Sequence, residues 1–490
     1  MPEGDISDGT IHKLEAALTP WIASARWHEG NRAHPSISSI DLKWEPAEAA
    51  PTNPLFVWFI VEDTGRNYNV PLVLCESQGN DAAEPVAVDH SLSRPFIYDA
   101  ADHPYGQRVI FELATGLPTA SRKYDESQSH ELVITQSIIN PRDIAQVDHA
   151  EKLRAEQSNT SIIYTLDDAS QIVVKIFRIL APGHNPDVEL QQALADTHTV
   201  PRQCGSAAIR LSNKQSARAQ ATDTVADILH ATQYLEGSQD GWRGVTDALS
   251  QARHIPDLDN TVASAASMRE LGTLTREFHT ALARVLPVHE TTLHMRDEIR
   301  TSIRRRAQQA FNVLPALADV EGSISVIYAA TEHIRWPQLQ RIHGDFHLGQ
   351  VLRTPEYEWK AIDFEGEPLR PLRERRAPDL ALRDIAGMLR SFDYAAESII
   401  LSRAQADQAD NTGTLRTWKK MASSAFLEGY GELSTEERVL LDALLLDKAL
   451  YEVSYEVLHR PRWVRIPLLG LANLLGLDDD AVQALSASVE

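Results

Sequence analysis

In residues 341–353, RIHGDFHLGQVLR, Asp345 stands between two histidines and Gln350 opens a short apolar strand. After a turn that contains a proline, a second predicted strand, WKAIDF, carries Asp363 near its end. A hairpin of this kind brings Asp345, Gln350 and Asp363 to one end of the structure. Such a set suits phosphoryl transfer, in which one carboxylate accepts the proton of the acceptor hydroxyl while the other carboxylate and the amide hold Mg²⁺ on the nucleotide phosphates. We therefore expect Asp345 to be the base, Gln350 and Asp363 to be metal ligands, and ATP and Mg²⁺ to be cofactors.

A nucleotide site of this type also needs a lysine on a strand, which reaches the phosphates, and a carboxylate that positions the lysine. The run QIVVKIFRIL places Lys175 between two apolar residues in a predicted strand. Glu189, on the next predicted helix, is the expected partner of Lys175, and Asp187 competes for that role. A lone strand lysine is more often a solvated charge, so the assignment rests on the ordered set of elements.

The hairpin before Lys175, EQSNTSIIYTL, stands where such enzymes carry a glycine-rich phosphate loop, but it has no glycine. Three residues of its turn could donate N–H or hydroxyl groups to phosphates: Ser158, Asn159 and Thr160. They could also be ordinary turn residues. The backbone of the expected hinge, which follows a later strand, would meet adenine through three residues: Gln233, Tyr234 and Leu235.

The elements that must position these residues are β-rich first and α-rich later. After a helix predicted at 11–24, the runs SISSIDLKW, LFVWFIVED and YNVPLVLC predict a small antiparallel sheet. The polar, proline-rich segment from Asn80 to Tyr105 is a candidate boundary, and a second β-rich block follows it.

From Asp240 onward the sequence is mostly helical in character. One long helix is predicted by an apolar stripe: Met268, Leu271, Leu274, Phe278, Leu282 and Val285. Another helix opens with Ser434 and Glu437 at capping-box spacing.

The composition of the chain limits the classes of partner that it can bind. The chain has 490 residues with 47 Lys and Arg against 69 Asp and Glu, and its formal charge of −22 repels nucleic acids and anionic membranes. Only Cys75 and Cys204 are present, which suits a reducing cytosol. The start lacks a signal-peptide pattern, and the apolar run at 466–477 is shorter than the roughly 20 residues of a membrane helix. We expect a cytoplasmic protein of two or three domains, with neither a nucleic-acid nor a membrane partner.

Two other interpretations of the motif remain open. GDFHLG resembles the Gly-Asp-x-His turn of binuclear metallophosphoesterases, whose His and Asp side chains bind two metals, but the further ligand cluster of that class is missing from the sequence after Asp363. An inactive kinase-like binding module is disfavoured because Lys175, Asp345 and Asp363 are all present. His343 and His347 favour structural hydrogen bonds over ligation, and Asp384 either caps the loop backbone or faces water.

The chain resembles the actinobacterial maltokinases, relatives of the aminoglycoside phosphotransferases. The matching segments are AEQSNTSIIYTL, VVKIFRILAPGHNPDVEL, RIHGDFHLGQVLRT, IDFEGEPLRPLRERRAPDLALRDIAGMLRSFDYAA and LLLDKALYEVSYEVLHRPRWVRIPL. The resemblance implies phosphorylation of maltose by ATP at the anomeric hydroxyl, giving maltose 1-phosphate for α-glucan or glycogen synthesis, with trehalose synthase as a partner.

The same resemblance implies a bilobal, protein-kinase-like α+β fold. A cap subdomain would occupy residues 1–105, a β-rich nucleotide-binding lobe 106–238, and a helical catalytic and sugar-binding lobe 239–490. Carried over by position, Asp345 is the base and Lys175 binds the phosphates.

The sugar itself stays open, because a sugar pocket wants acidic and amide groups for hydroxyls and an aromatic ring for the apolar face. The candidate substrate contacts are His343, Asp393, Tyr394, Tyr451, Glu452, Tyr455 and Glu456. A strongly acidic pocket would also suit an ammonium group, so glucosamine is the alternative substrate.

Overall fold

The computed structural model describes residues 8–28, 36–44, 54–63, 65–78, 84–116, 130–135, 147–153, 159–211, 224–367, 370–405 and 411–489. The chain divides into two compact units. The first consists of Met1–Glu189 with Pro201–Glu236, and the second of Leu190–Val200 with Gly237–Glu490. The α+β class expected from the sequence is confirmed, whereas the separation of a cap at residue 105 stays a prediction.

The first unit is built on two antiparallel sheets. Its helices are α1 (Asp8–Ser24), α2 (Pro104–Thr115) and α3 (Pro186–Ala193), the last of which continues into the second unit. Its strands are β1 (Ser36–Trp44), β2 (Leu55–Asp63), β3 (Arg66–Cys75), β4 (Ala87–Val88), β5 (Phe96–Asp99), β6 (His130–Thr135), β7 (Val147–Lys152), β8 (Asn159–Leu166), β9 (Gln171–Phe177), β10 (Ile179–Leu180), β11 (Gln203–Leu211) and β12 (Thr224–Gln233).

The first sheet has the order β1-β2-β3-β5-β4, and β10 also pairs with β3. The predicted runs SISSIDLKW and LFVWFIVED coincide with β1 and β2. The segment from Asn80 to Tyr105, which was predicted as a boundary, contributes strands β4 and β5 to this sheet. Strand β5 pairs with the Leu72–Cys75 part of β3. Short strands of this kind carry too few residues for a clear alternating pattern.

The second sheet has the order β6-β11-β12-β9-β8-β7. An apolar core joins this sheet to α2 and to one face of the first sheet, with Trp58, Phe111 and Tyr164 among its buried side chains. Arg178 of the first unit is also fully buried, and its guanidinium donates to Asp99 Oδ2 at 2.6 Å. Burying this charge requires the paired carboxylate.

The second unit is mostly helical. Its helices are α4 (Gly241–Gln251), α5 (Ala265–Val285), α6 (Leu293–Val313), α7 (Glu321–Ala330), α8 (Leu372–Arg375), α9 (Leu382–Gln405), α10 (Thr412–Tyr430), α11 (Thr435–His459), α12 (Arg465–Leu475) and α13 (Asp479–Ala487). Its strands, β13 (Gln239–Asp240), β14 (Val351–Arg353) and β15 (Trp359–Ala361), form one antiparallel sheet.

The predicted stripe of α5 is buried except at its end, where Val285 is 62% exposed in the last turn. The capping box of α11 is confirmed, because the Ser434 hydroxyl accepts from Glu437 N while the Glu437 carboxylate accepts from Ser434 N. Within the described ranges, no helix has both the length and the apolar composition that crossing a membrane requires.

Two glycines let α5 and α10 cross at close range. A Cβ atom built on Gly272 of α5 would collide with the carbonyl oxygen of Phe426, and one on Gly429 of α10 would collide with that of Arg269. Both obstacles are backbone atoms, which cannot rotate away. The crossing therefore needs a residue without a side chain on each helix.

We predict that Gly272→Ala destabilises the protein. Alanine is the better helix former by about 1 kcal/mol, but separating the packed helices costs roughly 1–3 kcal/mol and should outweigh that gain. Gly322→Ala in α7 is the matched control, because nothing lies within 4 Å of its built Cβ. Thermal melting should show a lower Tm for Gly272→Ala and an unchanged or higher Tm for Gly322→Ala. Equal melting of both variants would refute the close crossing.

Candidate active site

The loop that carries Asp345 is held by the buried carboxylate of Asp384, near the start of α9. Its Oδ2 accepts from the backbone N–H of His343 at 2.8 Å, and its Oδ1 accepts from that of Gly344 at 2.9 Å. His279 of α5 donates through Nε2 to the same carboxylate at 3.0 Å. Of the two roles that the sequence allowed, Asp384 therefore has the capping one.

His343 ties the loop to the segment before Asp363. Its Nε2 donates to the carbonyl oxygen of Ile362 at 2.9 Å, so its Nδ1 faces Asp345 N as an acceptor, at 3.4 Å. The imidazole is buried and packs against Phe346 and Phe364. These contacts favour the structural interpretation of His343 over a substrate contact.

Asp345 lies beside a lysine that the sequence analysis missed. Lys448 of α11 places its Nζ 3.6 Å from Asp345 Oδ1 and 3.0 Å from Glu367 Oε1. Burial opposes the charge of Lys448, but Glu367 and Asp345 outweigh it and raise the pKa of the ammonium group. Burial likewise opposes the charge of Glu367, yet Lys448 and Arg370 lower the pKa of its carboxyl to about 2. The lysine is therefore a fixed positive charge next to the expected base.

Gln350 and Asp363 meet as the hairpin predicted. Gln350 ends a short 3₁₀ turn, and its Nε2 donates to Asp363 Oδ2 at 3.3 Å. This leaves the amide Oε1 and the carboxylate as hard oxygen ligands, which fit a divalent cation such as Mg²⁺. The strand prediction for Asp363 is wrong, because β15 ends at Ala361. Asp363 instead adopts a φ of 62°, an uncommon conformation for a residue other than glycine.

In the first unit, Lys175 lies on β9 as predicted. Its Nζ donates to Asp187 Oδ2 of α3 at 3.0 Å, and the Asp187 side chain is buried. Lys175 is thus paired with Asp187, the competitor that the sequence left open, and its pairing with Glu189 stays a prediction. Glu189, the preferred partner, lies two residues further along the same helix and is partly exposed.

The turn before Lys175 differs from its prediction. Ser158 lies outside the described residues, while Asn159 and Thr160 belong to β8. The Thr160 hydroxyl accepts from Arg178 Nε at 2.9 Å and is buried. Thr160 is thus engaged in the core contact of Arg178.

The expected hinge begins where β12 ends, at Gln233. Gln233 N donates to Arg202 O at 2.8 Å, and Tyr234 N donates to Gln171 O at 2.9 Å. In this conformation neither N–H can donate to adenine as well. Of the three predicted residues, Leu235 remains the candidate donor.

The predicted acidic part of the sugar pocket is neutralised. The buried guanidinium of Arg390 donates to Glu452 at 2.9 Å and also pairs with Asp393. Asp393 Oδ1 is 3.1 Å from Lys419 Nζ. Sequence spacing on a helix shows which carboxylates share a face, but it does not show a cation supplied by another helix.

The three tyrosine candidates differ in whether their side chains are already engaged or are accessible. Tyr394 donates to Glu456 at 3.1 Å, and Glu456 also accepts from Arg460 at 2.6 Å. The polar groups of Tyr394 and Glu456 are therefore already engaged with each other. Tyr451 is partly buried, and Tyr455 is 37% exposed. Tyr451 and Tyr455 therefore remain the accessible candidates for covering a sugar face.

A small cavity adjoins Asp345 within the second unit, and Tyr451 lies on its wall. Its charged lining consists of Asp345, Glu367, Asp447, Arg306, Arg370, Arg383 and Lys448. Glu367 is paired with Lys448 and Arg370, and Asp447 is paired with Arg306 and Arg383. The charged residues that line the cavity are therefore close to charge balance.

The comparisons with known proteins point to one kind of enzyme. No family model matches the chain. It is 31% identical over 259 residues to a glucosamine kinase of Streptacidiphilus jiangxiensis, which covers 49% of this chain and 56% of that protein. It is 29% identical over 273 residues to a glucosamine kinase of Mycolicibacterium smegmatis, covering 51% and 63% respectively. The matched part thus spans less than two thirds of either curated relative.

Solved structures extend the likeness over the whole fold. A glucosamine kinase in complex with glucosamine, ADP and inorganic phosphate has a TM-score of 0.65 at 21% identity, over 93% of this chain and 99% of that chain. A second crystal form has the same TM-score over 94% and 99%. The chain therefore has the fold of these kinases. The comparisons do not support the finer resemblance to maltokinases; they favour glucosamine kinase, the alternative.

We predict that Asp384→Asn loosens the loop. An asparagine has one acceptor oxygen and presents an NH₂ group to one of the two backbone donors, which leaves a buried N–H without a partner at a cost of about 1–3 kcal/mol. Hydrogen exchange should accelerate at the amides of His343 and Gly344, and the Tm should fall. Asp319→Asn, at an exposed position, is the control and should leave both unchanged. Unaltered exchange in Asp384→Asn would contradict the capping role.

Proposed function

We propose that the chain is an ATP-dependent sugar kinase whose acceptor is glucosamine. The observation that carries this proposal is the loop before Asp345, which Asp384 holds through two backbone amides and which His343 ties to Ile362, the residue before Asp363, while Gln350 bonds Asp363. A positioned carboxylate next to an oxygen ligand pair is what transfer of a phosphoryl group to a hydroxyl needs. The likeness to glucosamine kinases in sequence and fold supports the choice of sugar.

In this proposal each residue has a separate task. Asp345 orients the acceptor hydroxyl and accepts its proton, while Gln350 Oε1 and the Asp363 carboxylate would hold Mg²⁺. The metal would neutralise charge on the phosphates of ATP. Lys175 of the first unit, positioned by Asp187, contacts the nucleotide phosphates.

Maltose is the second candidate acceptor. It is favoured by two sequence blocks, DFEGEP from Asp363 and HRPRW from His459, which carry the resemblance to maltokinases. Formation of maltose 1-phosphate and a partnership with trehalose synthase would follow only if maltose is the acceptor. The two candidates also differ in charge, since glucosamine carries an ammonium group and maltose is neutral.

A substrate panel tests the proposal. Purified protein with ATP and Mg²⁺ should release ADP in the presence of glucosamine, with glucose, maltose and aminoglycosides poorer in kcat/KM. Asp345→Asn is the matched control and should lower kcat by about 10² to 10⁴, the usual contribution of a positioned base. A tenfold preference for maltose would replace the sugar but keep the kinase. Phosphoester hydrolysis without nucleotide would overturn both.

Lys448 gives a second prediction, about charge selection. Because its ammonium lies beside Asp345 and Glu367, Lys448→Met should make the cavity more negative and favour a cationic acceptor. We expect the ratio of kcat/KM for glucosamine to that for glucose to rise about tenfold or more, since charges interact strongly at partly buried sites. Lys360→Met removes a lysine paired with Glu358 and the carbonyl oxygen of His198, and should leave the ratio unchanged. A ratio that stays constant in Lys448→Met would show that the acceptor does not sense this charge.

A further inference from the structure

His230 is a buried histidine that the proposed reaction leaves without a task. It lies on β12 directly opposite Lys175 of β9 in the antiparallel register. Directly opposite residues project from the same face of a sheet, so the imidazole shares the face that carries the phosphate-binding lysine. Its side chain is 2% exposed.

The imidazole approaches Asp187 without bonding to it. Its Nδ1 is 3.6 Å from Asp187 Oδ2, the same oxygen that accepts from Lys175 Nζ at 3.0 Å. A separation of 3.6 Å is too long for a hydrogen bond. Among the described residues, the buried Nε2 of His230 also has no hydrogen-bond partner. Buried polar groups in native proteins are nearly always bonded, so this arrangement calls for an explanation.

Another histidine of the same unit shows the ordinary case. His184 Nδ1 lies 3.2 Å from Asp227 Oδ1, within hydrogen-bond range, and its side chain is 51% exposed. That pair is a solvated contact of the usual kind. His230 differs because it is buried, is not bonded, and lies next to a carboxylate that already has a donor.

The proposed binding of phosphates by Lys175 gives a reason why the imidazole of His230 lies unbonded beside Asp187. An ammonium group has three donors and can bind a carboxylate and a phosphate together, but the phosphates then draw part of its charge away from Asp187. A buried carboxylate whose donor is shared loses compensation. A shift of less than about 1 Å would bring His230 Nδ1 into hydrogen-bond range of Asp187.

We propose that His230 is a positioning residue for the nucleotide, which donates to Asp187 when the phosphates engage Lys175. The carboxylate then keeps its orientation and continues to hold the lysine. His230 acts through Asp187 and touches neither the phosphates nor the acceptor. The inference rests on the proposed function in one respect, the binding of nucleotide phosphates by Lys175.

Nucleotide affinity tests it without requiring turnover. His230→Phe keeps a ring of similar size and removes the donor, whereas His230→Asn keeps a donor near the position of Nδ1. By calorimetry with ADP and Mg²⁺, the Kd should rise about tenfold in His230→Phe and return to within about threefold of wild type in His230→Asn. KM for ATP should follow the Kd, with kcat nearly constant. His184→Phe is the control and should bind ADP as wild type does. An unchanged Kd in His230→Phe overturns the proposal.

A double-mutant cycle separates positioning from simple packing. In the Asp187→Asn background, the loss of the His230 donor should no longer raise the Kd, because the carboxylate through which it acts is gone. Additive effects would mean that His230 supports the sheet only.

A measurement on the wild-type protein tests the proposal without relying on the folding of any variant. Nitrogen NMR of labelled histidine should show the His230 Nδ1 entering a hydrogen bond when ADP and Mg²⁺ are added, and an unmoved resonance with bound nucleotide overturns the proposal. Nucleotide binding without sugar phosphorylation would refute the proposed function but leave this inference tested. A chain that binds no nucleotide would refute both.

Discussion

The hydrogen bonds accepted by Asp384 are the constraint on which the candidate active site depends. Three donors converge on this buried carboxylate: two loop amides and the imidazole of His279. The loop cannot satisfy these amides within a regular element, because Gly344 turns the chain with a φ of 84°. Asp384 also lies in the first turn of α9, where the partial positive charge of the helix N-terminus favours a carboxylate. One side chain thus compensates the loop and is itself stabilised.

Helix α11 contributes several charged residues to the second unit, which also contains the loop of Asp345. Four of its residues are each paired with an opposite charge: Asp447 with Arg306 and Arg383, Lys448 with Glu367, Glu452 with Arg390, and Glu456 with Arg460. Buried charges persist only when they are paired in this way. The protein as a whole carries a formal charge of −22, yet the cavity beside Asp345 is nearly balanced. In the proposed reaction, selection of the acceptor by charge would therefore depend on local ion pairs and not on the acidic surface.

Local patterns in the sequence predicted those structural features that depend on residues close together in the chain. Alternation and β-branched runs predicted β1 and β2, and two short strands around a proline-containing turn predicted the hairpin that brings Gln350 to Asp363. The residues that were missed act across long separations: Lys448 bonds Glu367 81 positions away, and His279 bonds Asp384 105 positions away. Periodicity carries no information about such pairs. The same limit made the pocket seem acidic, since Arg390 neutralises Glu452 from 62 positions away.

The two sets of candidate residues are held by different means, and this difference suits the tasks that we propose for them. Asp345 lies on a loop whose backbone amides are fixed by a carboxylate, so its position follows from the main chain. Lys175 and Asp187 are joined through side-chain atoms, and His230 lies nearby at a distance that allows a small closing movement. A base must be placed within a few tenths of an ångström of its proton, which favours a rigid frame. A phosphate anchor must adjust as charge arrives and leaves, which favours side chains that can exchange partners.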